Sequence, residues 1–496
     1  MMYRLVSGLL ASLFLAGCNS GGSDDQFAKN RVDSICPVNM ECGFMSVPKS
    51  YADETGEQVN IHYGVHKAQD PANRIGILVF NFGGPSAAAV GGVGLMINNY
   101  WIPQDILNRF DIVGIDPRGT GQSAFASELT ECAVAESEGD GDCTATFTQV
   151  APFLGSNTVV KDIDRLRAML GEEKLNFLGY SYGTRLGSLY AKMFPERVRA
   201  IVLDSPMSPT DANNVEIRIG NAAGYEKIAG FRLEYDKKPN RKVHYQTIVD
   251  TLFSGNSYQA IDGALTFKQG SSALNLTVAR ESSGDWSDIS PGLINLLDKY
   301  MAAELKEALS LKLASGYNKH YSGSEDDLRG NALFKAVVCT DERTHLSDSE
   351  IDTSDDRYKA ESSLYGMLTY VQTAELCKGW SALRDPIPAI TEKPLGLGDK
   401  QILIIGGQYD PATPYTWAEA MAASFGSSAS LVTVDNYVDH GFSYSGIGCV
   451  DQSTTAYLLD PTQNIADNTC DVSSVSAKKF AVTPDTPHPA KDVIGW

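Results

Sequence analysis

Residues 176–206 read NFLGYSYGTRLGSLYAKMFPERVRAIVLDSP. The apolar strand Lys174–Gly179 runs directly into Gly179-Tyr180-Ser181-Tyr182-Gly183, and a helix, Ser181–Phe194, starts there and stops at Pro195. A further strand, Val198–Leu203, follows. A Gly-x-Ser-x-Gly match by itself is weak, because glycine and serine are common and the pattern is short. Here it sits between a buried strand and a helix. That turn forces the serine into a strained, exposed position at the sheet edge, and the flanking small residues relieve the crowding. The helix N-terminus then offers its dipole and unpaired N–H groups to developing negative charge. Ser181 is therefore the candidate nucleophile, and the amide of Tyr182 a candidate oxyanion donor.

A serine hydroxyl needs a base. Of seven histidines, His62 and His66 precede the main sheet, His244, His320 and His345 fall in a central insertion, and His488 lies in a Pro-rich tail. Only His440, in VDNYVDHGFSYSG, follows a late strand, and the base of this arrangement sits there. The base needs an orienting carboxylate. Asp410, in ILIIGGQYDPATP, lies just past the penultimate strand. Asp435 and Asp439 are nearer in sequence, but close neighbours on a short loop rarely face the same ring. The order Ser181, Asp410, His440 is that of an α/β-hydrolase. The second oxyanion donor is expected from NFGGPS (residues 81–86), where glycines let the backbone approach the reacting oxygen, with the amide of Gly83 favoured.

Outward from this centre the chain alternates apolar strands and amphipathic helices, which predicts an α/β fold with a mainly parallel sheet. Strands are expected at Arg74–Asn81, Phe110–Asp116, Gln401–Gly406 and, last, Ala429–Val434, with helices at Val159–Leu170, Tyr415–Ala423 and Ile447–Leu459. No internal repeat is present. Between Ser208 and Pro394 the rhythm gives way to charge and helix, as at Leu293–Leu313. A stretch of about 185 residues is too long for a loop, and it reads as a helical cap insertion over the ligand crevice. The division is a signal segment 1–18, a flexible tether 19–35, core 36–207, cap 208–394, core 395–470 and a tail 471–496.

The 496 residues are 43% apolar and 21% charged, with a net charge of −20. Nucleic acid is excluded as a partner, since phosphate binding needs a basic face. The acidity serves solubility and would favour a cationic substrate. Arg4 precedes the apolar run Leu5–Ala16, which is too short to span a bilayer. It suits a secretory signal and ends in Leu15-Ala16-Gly17-Cys18, which resembles a bacterial lipobox. Cys18 is expected to carry lipid and attach the protein to a membrane, and Asn19 resembles an outer-membrane sorting cue of Gram-negative lipoproteins. Eight cysteines remain, an even number that in an exported chain points to disulfides. Pairing of sequence neighbours gives Cys36–Cys42, Cys132–Cys143, Cys339–Cys377 and Cys449–Cys470. No clustered Cys/His spacing calls for a metal, and the chemistry needs no cofactor.

The strings NFGGPS, FDIVGIDPRGTGQS, LGYSYGTRLGSLYAKMFPERVRAIVLDSP, VVCTDE, GGQYDPATP and VDNYVDHGFS occur in order from about Cys36 to Leu459. Together they resemble the secreted tripeptidyl aminopeptidase and prolyl iminopeptidase branch of the α/β-hydrolases, with Ser208–Pro394 matching poorly. Phe82 and Ser86 depart from the Asn-Pro-Gly-Gly-Pro-Gly common in that branch. The resemblance implies an exported serine exopeptidase acting on free peptide N-termini, with acidic cap residues holding the substrate ammonium. Asp341 and Glu342 are the candidates, in a segment that Cys339–Cys377 would pin. Two rival readings stay open: an esterase or other small-molecule acyl hydrolase with the same triad, and a binding module that keeps only the fold.

Overall fold

The computed structural model of the chain describes residues 36–235, parts of 242–265, 324–463 and 465–472. The expected signal segment with Cys18, the tether, the helix at Leu293–Leu313 and nearly all of the tail lie outside the described residues.

Each expected strand forms where the apolar run places it. The strands are β1 (Glu41–Pro48), β2 (Gln58–His66), β3 (Gly76–Asn81), β4 (Phe110–Ile115), β5 (Leu175–Tyr180), β6 (Val198–Asp204), β7 (Tyr258–Ala260), β8 (Gly263–Leu265), β9 (Ile402–Gly407), β10 (Ala429–Asp435) and β11 (Asn468–Asp471). Nine of them make one sheet in the order β1-β2-β4-β3-β5-β6-β9-β10-β11, and β7 and β8 pair separately. β1 and β2 are antiparallel to their neighbours; from β4 to β11 every pairing is parallel. β3, β4, β5 and β9 are buried along their whole length. Their side chains alternate between two cores. Ile77, Val79, Phe177, Ile201 and Ile404 enter one. Leu78, Phe80, Leu178, Val202 and Leu403 enter the other.

The helices α1 (Ala89–Asn98), α2 (Ser156–Met169), α3 (Tyr182–Met193), α4 (Asn214–Tyr235), α5 (Glu325–Asp341), α6 (Tyr415–Phe425) and α7 (Gly448–Leu459) cover these faces and the sheet's carboxyl edge. α4 and α5 belong to the insertion between β6 and β9. One expectation is corrected: β10 is not the last strand. β11 adds in parallel, Val432 opposite Asn468. Its sequence NTCD is short and mostly polar, so no apolar run announced it. The four cysteine pairs expected from sequence proximity all form, with Cα separations of 5.7, 5.1, 5.4 and 5.9 Å.

One buried ion pair ties the antiparallel edge to the parallel core. Arg118, in the loop after β4, gives Nε to Asp162 Oδ2 at 2.7 Å and Nη2 to Asp162 Oδ1 at 2.9 Å. Its remaining N–H groups go to the carbonyls of Pro48 and Lys49 at the end of β1. Tyr51 donates to the same carboxylate at 2.7 Å. Breaking one side of a buried pair leaves an uncompensated charge. Arg118→Met should therefore cost roughly 3–5 kcal/mol in chemical denaturation, and adding Asp162→Leu should recover most of it. A cost for the single variant no larger than at a surface site would show that the pair does not hold this edge.

Candidate active site

Ser181 lies between β5 and α3 with φ 54° and ψ −123°, a backbone conformation that costs on the order of 1–3 kcal/mol. The strand and helix can approach only because glycines flank it. A Cβ on Gly179 would lie 2.5 Å from Gly183 O, and one on Gly183 would lie 2.7 Å from Asn81 O. The strained turn is pinned from β6, where Asp204 O accepts the Ser181 N–H at 3.0 Å. Ser181 Oγ is buried and takes no hydrogen bond among the described residues. Tyr182 is the first residue of α3, so its N–H has no intrahelical acceptor.

Asp410 and His440 meet as the sequence order predicts. Both are buried, and Nδ1 of His440 lies 2.9 and 3.0 Å from the two Asp410 oxygens. A carboxylate only accepts, so Nδ1 carries the proton and Nε2 is left to act as base. Asp410 is oriented by the amides of Ala412 and Thr413, both at 2.9 Å, and by Thr413 Oγ1 at 3.0 Å.

The loop carrying His440 has no ladder of its own, and its amides are satisfied from β6 instead. Gly441 N donates to Ser205 Oγ at 2.9 Å. Phe442 N donates to Asp204 Oδ1 at 3.0 Å and Ser443 N to Asp204 Oδ2. Burial pushes the Asp204 carboxyl up to about 6, against the lowering by these donors and by nearby His440. Sequence reasoning did not single out Asp204, Ser205 or Thr413. The first two stand in the quoted VLDSP, but an acid at a strand end carries no signal of what it will cap.

The turn after β3 lies against the nucleophile. Gly83 has φ 86°, and a Cβ there would come 3.0 Å from Ser181 Cβ and 3.1 Å from Tyr182 N. The sequence favours its amide as the second oxyanion donor. Gly83 N–H already donates to Asn81 Oδ1 at 3.0 Å. The amide of Gly84, next along the turn, takes no hydrogen bond among the described residues. Both departures from the related motif find a place. Phe82 stacks on Tyr180 at 5.9 Å, and Tyr180 donates to Ser443 O at 2.9 Å. Ser86 lies beside α5 at Gly330, where a Cβ would make ordinary contact with it at 3.4 Å.

The two acidic candidates of the insertion are engaged within the protein. Asp341 Oδ1 accepts from Ser156 N at 2.8 Å and Oδ2 from Ser156 Oγ, which also bonds the Tyr182 hydroxyl. Arg185 stands 3.9 Å away, and burial pushes the Asp341 carboxyl up to about 6. Asp341 thus braces α2 against α3, with both oxygens occupied. Glu342 accepts from Asn214 N and lies 2.9 Å from His345 Nδ1.

The geometry makes Asp204 the common anchor of nucleophile and base. Asp204→Ala leaves two buried loop amides without an acceptor and should lower kcat about 10²-fold on any hydrolysed ester or amide. Asp204→Asn keeps one acceptor oxygen and should fall between the two. Wild-type kcat in Asp204→Ala, at a temperature where it is folded, would remove this role.

A family model described as TAP-like protein matches residues 362–470. Serine protease Hip1 of Mycobacterium tuberculosis is 28% identical over 468 residues, covering 86% of each chain. Tripeptidyl aminopeptidase of Streptomyces lividans is 25% identical over 478 residues, covering 88% of this chain and 84% of its own. Carboxylesterase B of Mycobacterium tuberculosis is 30% identical over 466 residues, covering 85% of this chain and 84% of its own. With this similarity along most of its length, the chain is a serine hydrolase and belongs to the tripeptidyl-aminopeptidase-like branch of the α/β-hydrolases.

Proposed function

We propose that the protein is an exported serine exopeptidase that removes a short peptide or single residue from free peptide N-termini, with Ser181, His440 and Asp410 as its triad. The observation that carries the triad is the buried His440–Asp410 pair, tied through Asp204 to the strained turn of Ser181. His440 Nε2 takes the proton as Ser181 Oγ attacks the scissile carbonyl. The oxyanion is received by the amides of Tyr182 and Gly84. Imidazolium, stabilised by Asp410, protonates the leaving amine, and water then releases the acyl group by the reverse proton path. The exopeptidase character draws on the name of the Streptomyces relative and on the insertion between β6 and β9. The oxygens of Asp341 and of Glu342 both have partners within the protein, so either carboxylate would hold the substrate ammonium in addition to these bonds. Export and lipid attachment at Cys18 rest on the apolar segment and the Leu15-Ala16-Gly17-Cys18 sequence.

An esterase is the second reading, favoured by the relative named Carboxylesterase B. A panel of free and N-acetylated aminoacyl and tripeptidyl amides, with a short acyl ester, separates the two. The exopeptidase reading expects cleavage of the free amides, loss of it on acetylation, and a fall in kcat of about 10⁴-fold or more in Ser181→Ala. Ester cleavage alone would overturn it. In a producing bacterium, labelled fatty acid should enter the wild type and not Cys18→Ala; equal labelling of both would remove the lipid anchor.

A further inference from the structure

Arg218, on the second turn of α4, is half-buried and pairs with no carboxylate among the described residues. Its Nε donates to Asn214 Oδ1 at 3.3 Å and its Nη1 to Asn221 Oδ1 at 3.2 Å, both neutral amides. The guanidinium lies 5.1 Å from the centroid of the Phe334 ring. No carboxylate pairs with it among the described residues, and Nη2 takes no protein acceptor there. The neighbouring ionisable groups are the hydroxyls of Tyr225 and Tyr358, which are neutral at physiological pH. Burial lowers the affinity of the guanidinium for its proton, the direction expected of a desolvated cation. The fully buried arginines are matched: Arg118 by Asp162, Arg167 by Asp164, Arg185 by Asp341. Of the half-buried ones, Arg199 spends its donors on the carbonyls of Leu458 and Leu459 and on Asn176, and Arg343 donates to the carbonyl of Asp211, whereas Arg218 meets only side-chain amides.

Its position is fixed from two sides. Asn221, which holds Nη1, donates through Nδ2 to the carbonyl of Ala412, and the amide of Ala412 holds Asp410. Gly224, one turn further along α4, packs on Pro414 and on the carbonyl of Asp410. Phe334, under the guanidinium, lies one turn along α5 from Gly330, which faces Ser86 beside the oxyanion turn. Arg218 is therefore tied through Asn221 to the loop that carries Asp410, and through Phe334 to the helix that carries Gly330.

We propose that Arg218 is a specificity-determining residue that binds a carboxylate of the substrate, either an acidic side chain or the free C-terminal carboxylate of a short peptide. The proposal rests on the peptidase reading above and supplies its substrate class. A guanidinium with unused N–H donors presents a fork that matches a carboxylate, and desolvation makes the pair stronger than at the surface.

The test uses three series of short peptides with a free amino end: a neutral peptide amide, the same amide with Glu replacing Gln at each position in turn, and the neutral peptide with a free C-terminal carboxylate. In the wild type, one carboxylate peptide should exceed its neutral match in kcat/KM by about ten-fold or more. The preference should shrink to within about two-fold in Arg218→Met and persist in part in Arg218→Lys. Which series shows the preference identifies the source of the carboxylate. Labelling of Ser181 by a neutral serine-reactive phosphonate reads folding and the hydrolase chemistry separately. Labelling with no carboxylate preference in the wild type, or a preference unchanged in Arg218→Met, overturns the proposal alone. Failure of the phosphonate and of every peptide overturns the peptidase reading, and the proposal with it.

Discussion

Asp204 and Ser205, at the end of β6, hold the two halves of the site in one frame. The Asp204 carbonyl takes the N–H of Ser181, its carboxylate takes the amides of Phe442 and Ser443, and Ser205 Oγ takes that of Gly441. The need behind this is elementary. The loop after β10 must bring a histidine under the sheet edge, where water cannot satisfy its backbone, and buried N–H groups do not stay unpaired. A carboxylate offers several lone pairs in one place. Because the same residue also receives the nucleophile's own amide, the serine and the histidine are referenced to a single strand end. A shift of β6 moves both together. The strain at Ser181 persists for the same reason: β5 is paired on both sides, to β3 and β6, and buried throughout.

The insertion is more than a cover. α4 reaches the acid loop through Asn221 and Gly224, and α5 reaches the oxyanion turn through Gly330. Asp341, at the last turn of α5, braces Ser156 of α2, and Ser156 in turn meets the hydroxyl of Tyr182. The Cys339–Cys377 bridge closes the end of α5 against the following segment. Each wall of the crevice thus has a partner in the insertion. The insertion and the loop of Asp410 are thus mechanically linked, although they are built from distant parts of the chain.

The sheet and the meeting of Asp410 with His440 were legible in the sequence because both are written in local patterns. Buried parallel strands are unbroken apolar runs, and the turn at Ser181 joins one to a helix within a few residues. Asp410 and His440 each follow such a run. What stayed illegible depends on partners remote in sequence. Asp204 acts on residues some 240 positions away, and nothing around it marks that. Gly83 was the natural choice for an oxyanion amide until the side chain of Asn81, two residues earlier, was seen to occupy it. Asp341 read as a substrate carboxylate because its motif is acidic, but Ser156, 185 residues before it, uses both its oxygens. β11 escaped because four residues of mixed polarity have no period, and only its neighbour β10 makes them a strand.

Net charge and local charge argue in opposite directions about the substrate. A charge of −20 favours cationic partners at long range. That field, however, is felt across solvent, where it decays over about 8 Å at physiological ionic strength. Arg218 would act at contact, from a half-buried position where a charge pair is screened less than in open solvent. The global field therefore bears on the rate of encounter, and the unmatched guanidinium on which bound peptide is held. An acidic surface and a carboxylate-binding crevice are compatible because they act at different distances. The excess of negative charge would also give such a site a use for a half-buried arginine: without a local cation, an acidic substrate would meet only like charge on approach and nothing to offset it on arrival.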